Sequence, residues 1–198
     1  AYHVTKFGTS SKYIFSEQYY GRPGVTYTQR TQLGFATVAM PSGLIFTHKG
    51  PAIISASNAN MAMLAVSNSL VFRALVSMQM AFGSYEVGVI QRTPLPNLSD
   101  SDSAALARLA RRAWSLKRSV DTANETSHAF LLPPGLTEHV ARLDRSAVER
   151  EVEALQAQID ALVYTPDVSD RLRDIHTAPQ LATALAEDLQ ARAGAIQR

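Results

Sequence analysis

Cysteine is absent from the 198 residues, which excludes disulfides, thiolate metal sites and a cysteine nucleophile. The same absence fits a reducing compartment, so the expected location is cytoplasmic. No apolar run reaches the roughly 18 residues that a membrane span requires, and no membrane partner is expected. The opening AYHVTKFGTSS lacks the apolar stretch of a secretory leader. Because it starts at Ala1, the chain reads as a piece of a longer polypeptide or a processed product. Phosphate cradles of the G-x-G-x-x-G or P-loop type are missing, as is the G-x-S-x-G of a nucleophile elbow. The five histidines, His3, His48, His128, His139 and His176, include no pair at the i, i+4 spacing of a metal-binding helix. No catalytic, cofactor-binding or metal-binding residue is therefore assigned within the chain.

Acid is the other scarcity, and it is local. No Asp or Glu lies between Glu17 and Glu86. Residues 1–99 carry seven Lys/Arg against two Asp/Glu, a net of +5, whereas residues 100–198 carry twelve against fifteen, a net of −3. Such a split points to two segments with different partners. Within the acid-free span, Tyr19 to Pro51 interleaves Arg22, Arg30 and Lys49 with hydroxyls and aromatics. That mixture suits a polyanion whose phosphates need cations and whose bases offer hydrogen-bonding edges.

The expected fold class is α+β, with a β-rich domain at 1–97 holding one buried helix and an all-α extension of about three helices at 98–198. Short β-branched or aromatic runs predict strands at Tyr13–Phe15, Val25–Tyr27, Phe35–Ala39, Leu44–Thr47 and Val87–Ile90, separated by GRPG, PSG and KGP turns. Between about Asn60 and Met80, apolar residues at helical spacing predict a single helix with Ser57 or Asn58 as its N-cap. Thr93–Asn97 contains two prolines and closes the unit. Ser99–Ser103 then reads as a capping run for a long helix with Leu106, Leu109, Ala113, Leu116 and Val120 on one stripe. A helix from about Ser146 to Tyr164 carries Val148, Val152, Leu155, Ile159 and Leu162 at heptad-like spacing. A further helix is expected at about Ala178–Ala193, with a short one near 167–175.

Side chains in the basic segment supply the candidate contacts. Gly21 and Gly24 around Arg22-Pro23 predict a tight turn whose backbone N–H groups approach a phosphate. Thr26, Thr28 and Thr31 can donate to phosphate oxygens, and Arg22 or Arg30 can take phosphate or the O6/N7 edge of guanine. Tyr19, Tyr20 and Tyr27 can stack on bases or pack inward. His48 and Lys49 sit in a Gly-containing turn, and Gln91 and Arg92 at an expected strand end can reach base edges. The DNA-binding set is therefore Lys12, Arg22, Thr26, Tyr27, Arg30, His48, Lys49, Gln91 and Arg92. Arg108, Arg111, Arg112, Lys117 and Arg118 form a basic helix face that reads as solvated surface or a phosphate-contacting rim, and Trp114 reads as a packing anchor.

The order RPGVTYTQRT, GLIFTHKGPAI, LAVSNSLVFRALV, SYEVGVIQRTPLP and TANETSHAFLLPPGL resembles the C-terminal target-recognition region of large adenine-specific DNA methyltransferases. These belong to phage-defence systems of the DISARM and BREX kind and to type IIG restriction–modification enzymes. The resemblance covers roughly residues 10–135. It implies adenine N6 methylation of double-stranded DNA with S-adenosylmethionine, this region reading the target. The Asn/Asp/Ser-Pro-Pro-aromatic motif and the Gly-containing cofactor loop of such enzymes are missing, and Leu132-Pro133-Pro134-Gly135 does not replace them. The methyltransferase catalytic domain is then expected upstream in the same polypeptide or on a separate subunit. An alternative expectation is a protein-interaction module whose helices dock a subunit of a defence complex.

Overall fold

The computed structural model describes residues 16–55, 59–80, 83–127, 129–131, 133 and 144–163. The expected strand at Tyr13–Phe15, Lys12, His128 and the helices expected beyond Val163 lie outside the described residues. The architecture is α+β. Three short antiparallel strands, β1 (Gly24–Tyr27), β2 (Thr37–Met40) and β3 (Ala52–Ile53), form a sheet in the order β2-β1-β3. Among the described residues five α-helices follow: α1 (Asn60–Asn68), α2 (Leu70–Met78), α3 (Val87–Arg92), α4 (Asp100–Asp121) and α5 (Arg145–Val163).

In β1 the alternation places Val25 and Tyr27 inward, with Thr26 only half-buried between them. Gly24 is required by close approach, because a Cβ there would lie 2.6 Å from the Ile53 carbonyl oxygen of β3. With strands of four, four and two residues, the described part of the first half holds less strand than the β-rich expectation. Leu44–Thr47 is not a strand. Leu44 and Ile45 are exposed, and Thr47 pairs only with Gly50 across a tight turn.

Val87–Ile90, also expected as a strand, is the first part of helix α3. Its β-branched residues favour a strand locally, but packing prevails: Tyr85 and Val89, four apart, both enter the core while Val87 faces out. Thr93 ends the helix, its hydroxyl donating to the Val89 carbonyl at 2.9 Å.

The single helix expected over 60–80 is broken at Ser69 into α1 and α2, bent by 66°. Ser69 is extended, and its hydroxyl accepts from the Phe72 N–H as the N-cap of α2. The side chain of Asn68 clamps β2, accepting from the Thr37 N–H at 3.0 Å and donating to the Thr37 carbonyl at 3.0 Å. That exchange imitates a strand pairing and satisfies one residue of an otherwise open sheet edge. Both helices are mostly buried, and no single helix among the described residues is long and apolar enough to cross a membrane.

Helix α4 starts where the capping run predicts, the Ser99 hydroxyl accepting from the Asp102 N–H at 3.1 Å. Its Leu106 and Ala110, with Ile159 and Val163 of α5, share one hydrophobic cluster with Val25, Tyr27 and Phe35. The core therefore runs across the expected boundary at residue 97. The heptad-like stripe of α5 is mostly turned inward: Leu155 and Ile159 are buried, Val148 and Val152 half-buried, and Leu162 exposed.

Candidate nucleic-acid interface

The segment from Ser16 to Pro51 is held by paired turns. A 3-10 turn at Glu17–Tyr19 leads to Gly21, whose φ of 76° needs glycine. The Gly21 N–H donates to the Leu44 carbonyl at 3.0 Å, and the Gly43 N–H donates back to the Gly21 carbonyl at 2.9 Å. The Arg22 N–H donates to the Tyr19 carbonyl at 3.2 Å. These donors are therefore committed within the fold, and the backbone phosphate cradle expected around Arg22-Pro23 does not form there.

The two turns instead frame a cleft of about 660 Å³, lined among others by Tyr19, Tyr20, Phe46, His48, Val87 and Gln91. Tyr20 and Phe46 meet edge to face at 5.2 Å between ring centroids. The Arg22 guanidinium stands 5.7 Å over the Tyr19 ring, which fixes a cation beside the same aromatic wall. His48 and Lys49 occupy the tip of the Thr47–Gly50 turn and are exposed. The Gln29 N–H donates to the Lys49 carbonyl at 3.1 Å, so Lys49 and exposed Arg30 flank Gln29 next to the cleft.

Of the expected set, His48 and Gln91 line this cleft, while Arg22 reaches its edge over the Tyr19 ring and Lys49 follows His48 at the turn tip. Arg92 is exposed but lies along its own helix, close to Gly88, and does not line the cleft. Burial of Tyr27 and an internal hydrogen bond of Thr26 engage two of the expected contacts within the fold. Tyr27 is 4% exposed with its ring against Phe35, and the Thr26 hydroxyl donates to the Pro51 carbonyl at 2.8 Å. Thr31 is used locally, its hydroxyl accepting from the Leu33 N–H.

The span that is acid-free in sequence is not acid-free in space. Glu86 folds back beside it, accepting from Ser84 Oγ at 2.7 Å and from Gln29 Nε2 at 3.2 Å. Phe46, Ile45 and Val87 of the cleft were not legible as site residues, because their apolar runs carry the same signal as core strands. On α4, Arg112 is paired with Glu151 at 2.8 Å and Arg118 stands over Trp114, so the basic face there is partly committed to surface pairing. Among the described residues no group of three His, Asp or Glu side chains is placed to hold a metal ion.

Burial, and secondarily the Glu86 carboxylate, pushes the Tyr27 hydroxyl up to about 12. The raised value favours the protonated phenol in the folded state. Its contribution is therefore fully present below the ordinary value of 10.0 and is lost as pH rises toward 12. Stability to urea is expected to fall with a slope of about 1.4 kcal/mol per pH unit across that window. Tyr27→Phe should remove this component of the slope while changing stability little at neutral pH, since the hydroxyl has no hydrogen-bond partner among the described residues. Identical pH profiles for the two proteins would refute the assignment.

Comparison with protein-family models gives no match, and none of the curated proteins matches the chain.

Proposed function

We propose that the aromatic cleft and its flanking cations form a duplex DNA contact, the specificity part of an adenine-N6 DNA methyltransferase in a restriction–modification or phage-defence system. On this reading S-adenosylmethionine and the methyl transfer belong to a catalytic domain outside this chain, upstream in the same polypeptide or on a separate subunit. The observation that carries it is a cleft walled by Tyr19, Tyr20 and Phe46 that His48 and Gln91 line, with the Arg22 guanidinium over the Tyr19 ring at its edge. Arg22, Arg30 and Lys49 are exposed, and among the described residues none is neutralised by an ion pair. Such cations attract phosphates, and Gln91 offers the amide that reads adenine N6/N7 in a major groove. The motif order described above supplies the methyltransferase parentage.

The competing reading, helices that dock a defence-complex subunit, would need the apolar stripe of α5 to face outward. Leu155 and Ile159 are instead buried against the chain's own core.

Binding to a fluorescent duplex across about 50–200 mM salt should weaken steeply, as expected when phosphate contacts release counterions. Replacing Arg22 and Arg30 together by Ala should weaken binding about tenfold or more and lower the salt slope by about two. Both side chains are exposed, so circular dichroism should be unchanged. A flat salt dependence, or unaltered affinity in the double variant, would overturn the DNA reading.

A further inference from the structure

A second cavity, of about 380 Å³, opens between β2, α1, α4 and α5. It exists because small residues stand on facing walls: Ala39, Ala65, Ala110 and Ala113 of these elements, with Ala129 after α4, leave a volume that leucines at the same positions would fill. Val38, Leu64, Val152 and Ile159 add to the apolar lining. Its two amide side chains are already bonded. Asn68 is committed to Thr37 and Leu64, while Gln156 donates to the Asn68 carbonyl and to Asp160. The floor therefore asks for hydrocarbon or a ring, not for further hydrogen bonds.

The rim differs in kind. Trp114, the only tryptophan, is not the packing anchor expected from sequence: it is 39% exposed and lines the cavity. Arg118 covers its ring at 5.4 Å. Lys117 and Asp121 lie at the same rim, and among the described residues Lys117, Arg118 and Asp121 make no ion pair. Two cations and one acid leave one positive charge in excess. A volume near the low end of small-molecule pockets, an apolar floor and a few convergent charges match the usual composition of a ligand site.

From these features we infer that the cavity binds an aromatic monoanion, such as an aryl carboxylate or sulfonate. The ring lies among the alanines against Trp114, and the acid group meets Lys117 and Arg118. Asp121 disfavours a doubly charged head group. The inference concerns a different face from the aromatic cleft and does not depend on DNA binding.

The single tryptophan makes the test direct. Titration of the full chain with 1-anilinonaphthalene-8-sulfonate should quench Trp114 by energy transfer and saturate at one molecule per chain. N-phenyl-1-naphthylamine, a neutral relative of the same shape, serves as the charge control. Lys117→Glu alters an exposed side chain and should weaken sulfonate binding at least about tenfold, the worth of one charge-assisted contact. Binding of the neutral probe should stay within about twofold, because that contact contributes nothing to it. Ala113→Leu fills the cavity and should abolish both. Absence of saturable binding to the unaltered chain overturns the site, and sulfonate affinity unchanged by Lys117→Glu overturns the anion. Should Ala113→Leu fail to fold, the Lys117→Glu comparison still decides.

Discussion

Replacing Phe35 with alanine is expected to cost about 3–5 kcal/mol, a large share of the roughly 5–15 kcal/mol that holds a domain together. Phe35 is 1% exposed and sits where three other rings meet. Its centroid lies 5.4 Å from Tyr27 of β1, 6.0 Å from Phe72 of α2 and 5.2 Å from Tyr85 ahead of α3. Each neighbour is anchored to a different element, so the hole left by truncation cannot close without moving a strand or a helix. The Tyr85 N–H donates to the Gln29 carbonyl at 2.7 Å, and this contact positions α3 with Gln91 beside the cleft. Loss of the ring should therefore also weaken the cleft. Urea denaturation checks the prediction through a lower midpoint at unchanged slope. Leu33→Ala, two residues away and 94% exposed, should stay within about 0.5 kcal/mol. A cost below about 1 kcal/mol for Phe35→Ala would show that the ring cluster does not organise the core.

Asp160→Ala is expected to cost about 2–4 kcal/mol, combining a half-buried N–H left without its acceptor with the loss of an anion at a helix start. Asp160 is 5% exposed on α5, and its Oδ1 accepts from the Leu70 N–H at 2.8 Å. Leu70 is the first residue of α2, so the carboxylate faces the positive end of that helix and satisfies a donor the helix itself cannot. Gln156, one turn earlier, donates to Asp160 and to the Asn68 carbonyl. Together the two side chains of α5 stabilise the break between α1 and α2. Asp160→Asn keeps an acceptor in place and should cost only about 1 kcal/mol, the part due to charge. Thermal and urea unfolding of both variants would test this. Equal losses for Ala and Asn would show that charge, not the hydrogen bond, carries the effect.

The Asn68-Ser69-Leu70 sequence illustrates what a linear reading can and cannot extract. As a motif it contributes to a resemblance with target-recognition regions. In the folded chain all three residues serve the architecture: Asn68 clamps β2, Ser69 caps α2, and the Leu70 N–H is held by Asp160, ninety positions away. Nothing in the local pattern distinguishes a polar pair interrupting one helix from a bend between two, because the partner that stabilises the bend lies on α5. Glu86 shows the same limit for the site. Its distance in sequence from Arg22 and Arg30 hides its place beside Gln29. Tyr27, with aromatic and basic neighbours, reads as a stacking residue, yet strand alternation buries it next to Val25.

Composition and spacing alone determined the features that depend on near neighbours. These include the absence of thiol chemistry, the uneven distribution of charge, the turns at Gly21 and Gly43, the Ser99 cap and the inward position of Leu106 on α4. Each follows from properties of a few adjacent residues: backbone freedom at glycine, a hydroxyl three residues before a free N–H, apolar side chains one turn apart. Only the tertiary structure decided that Val87–Arg92 is a helix, that one core spans both halves, and that His48 and Gln91 share a cleft with Tyr19 and Phe46. These outcomes depend on which distant surfaces meet, since the area buried between them outweighs local preferences worth only fractions of a kcal/mol per residue.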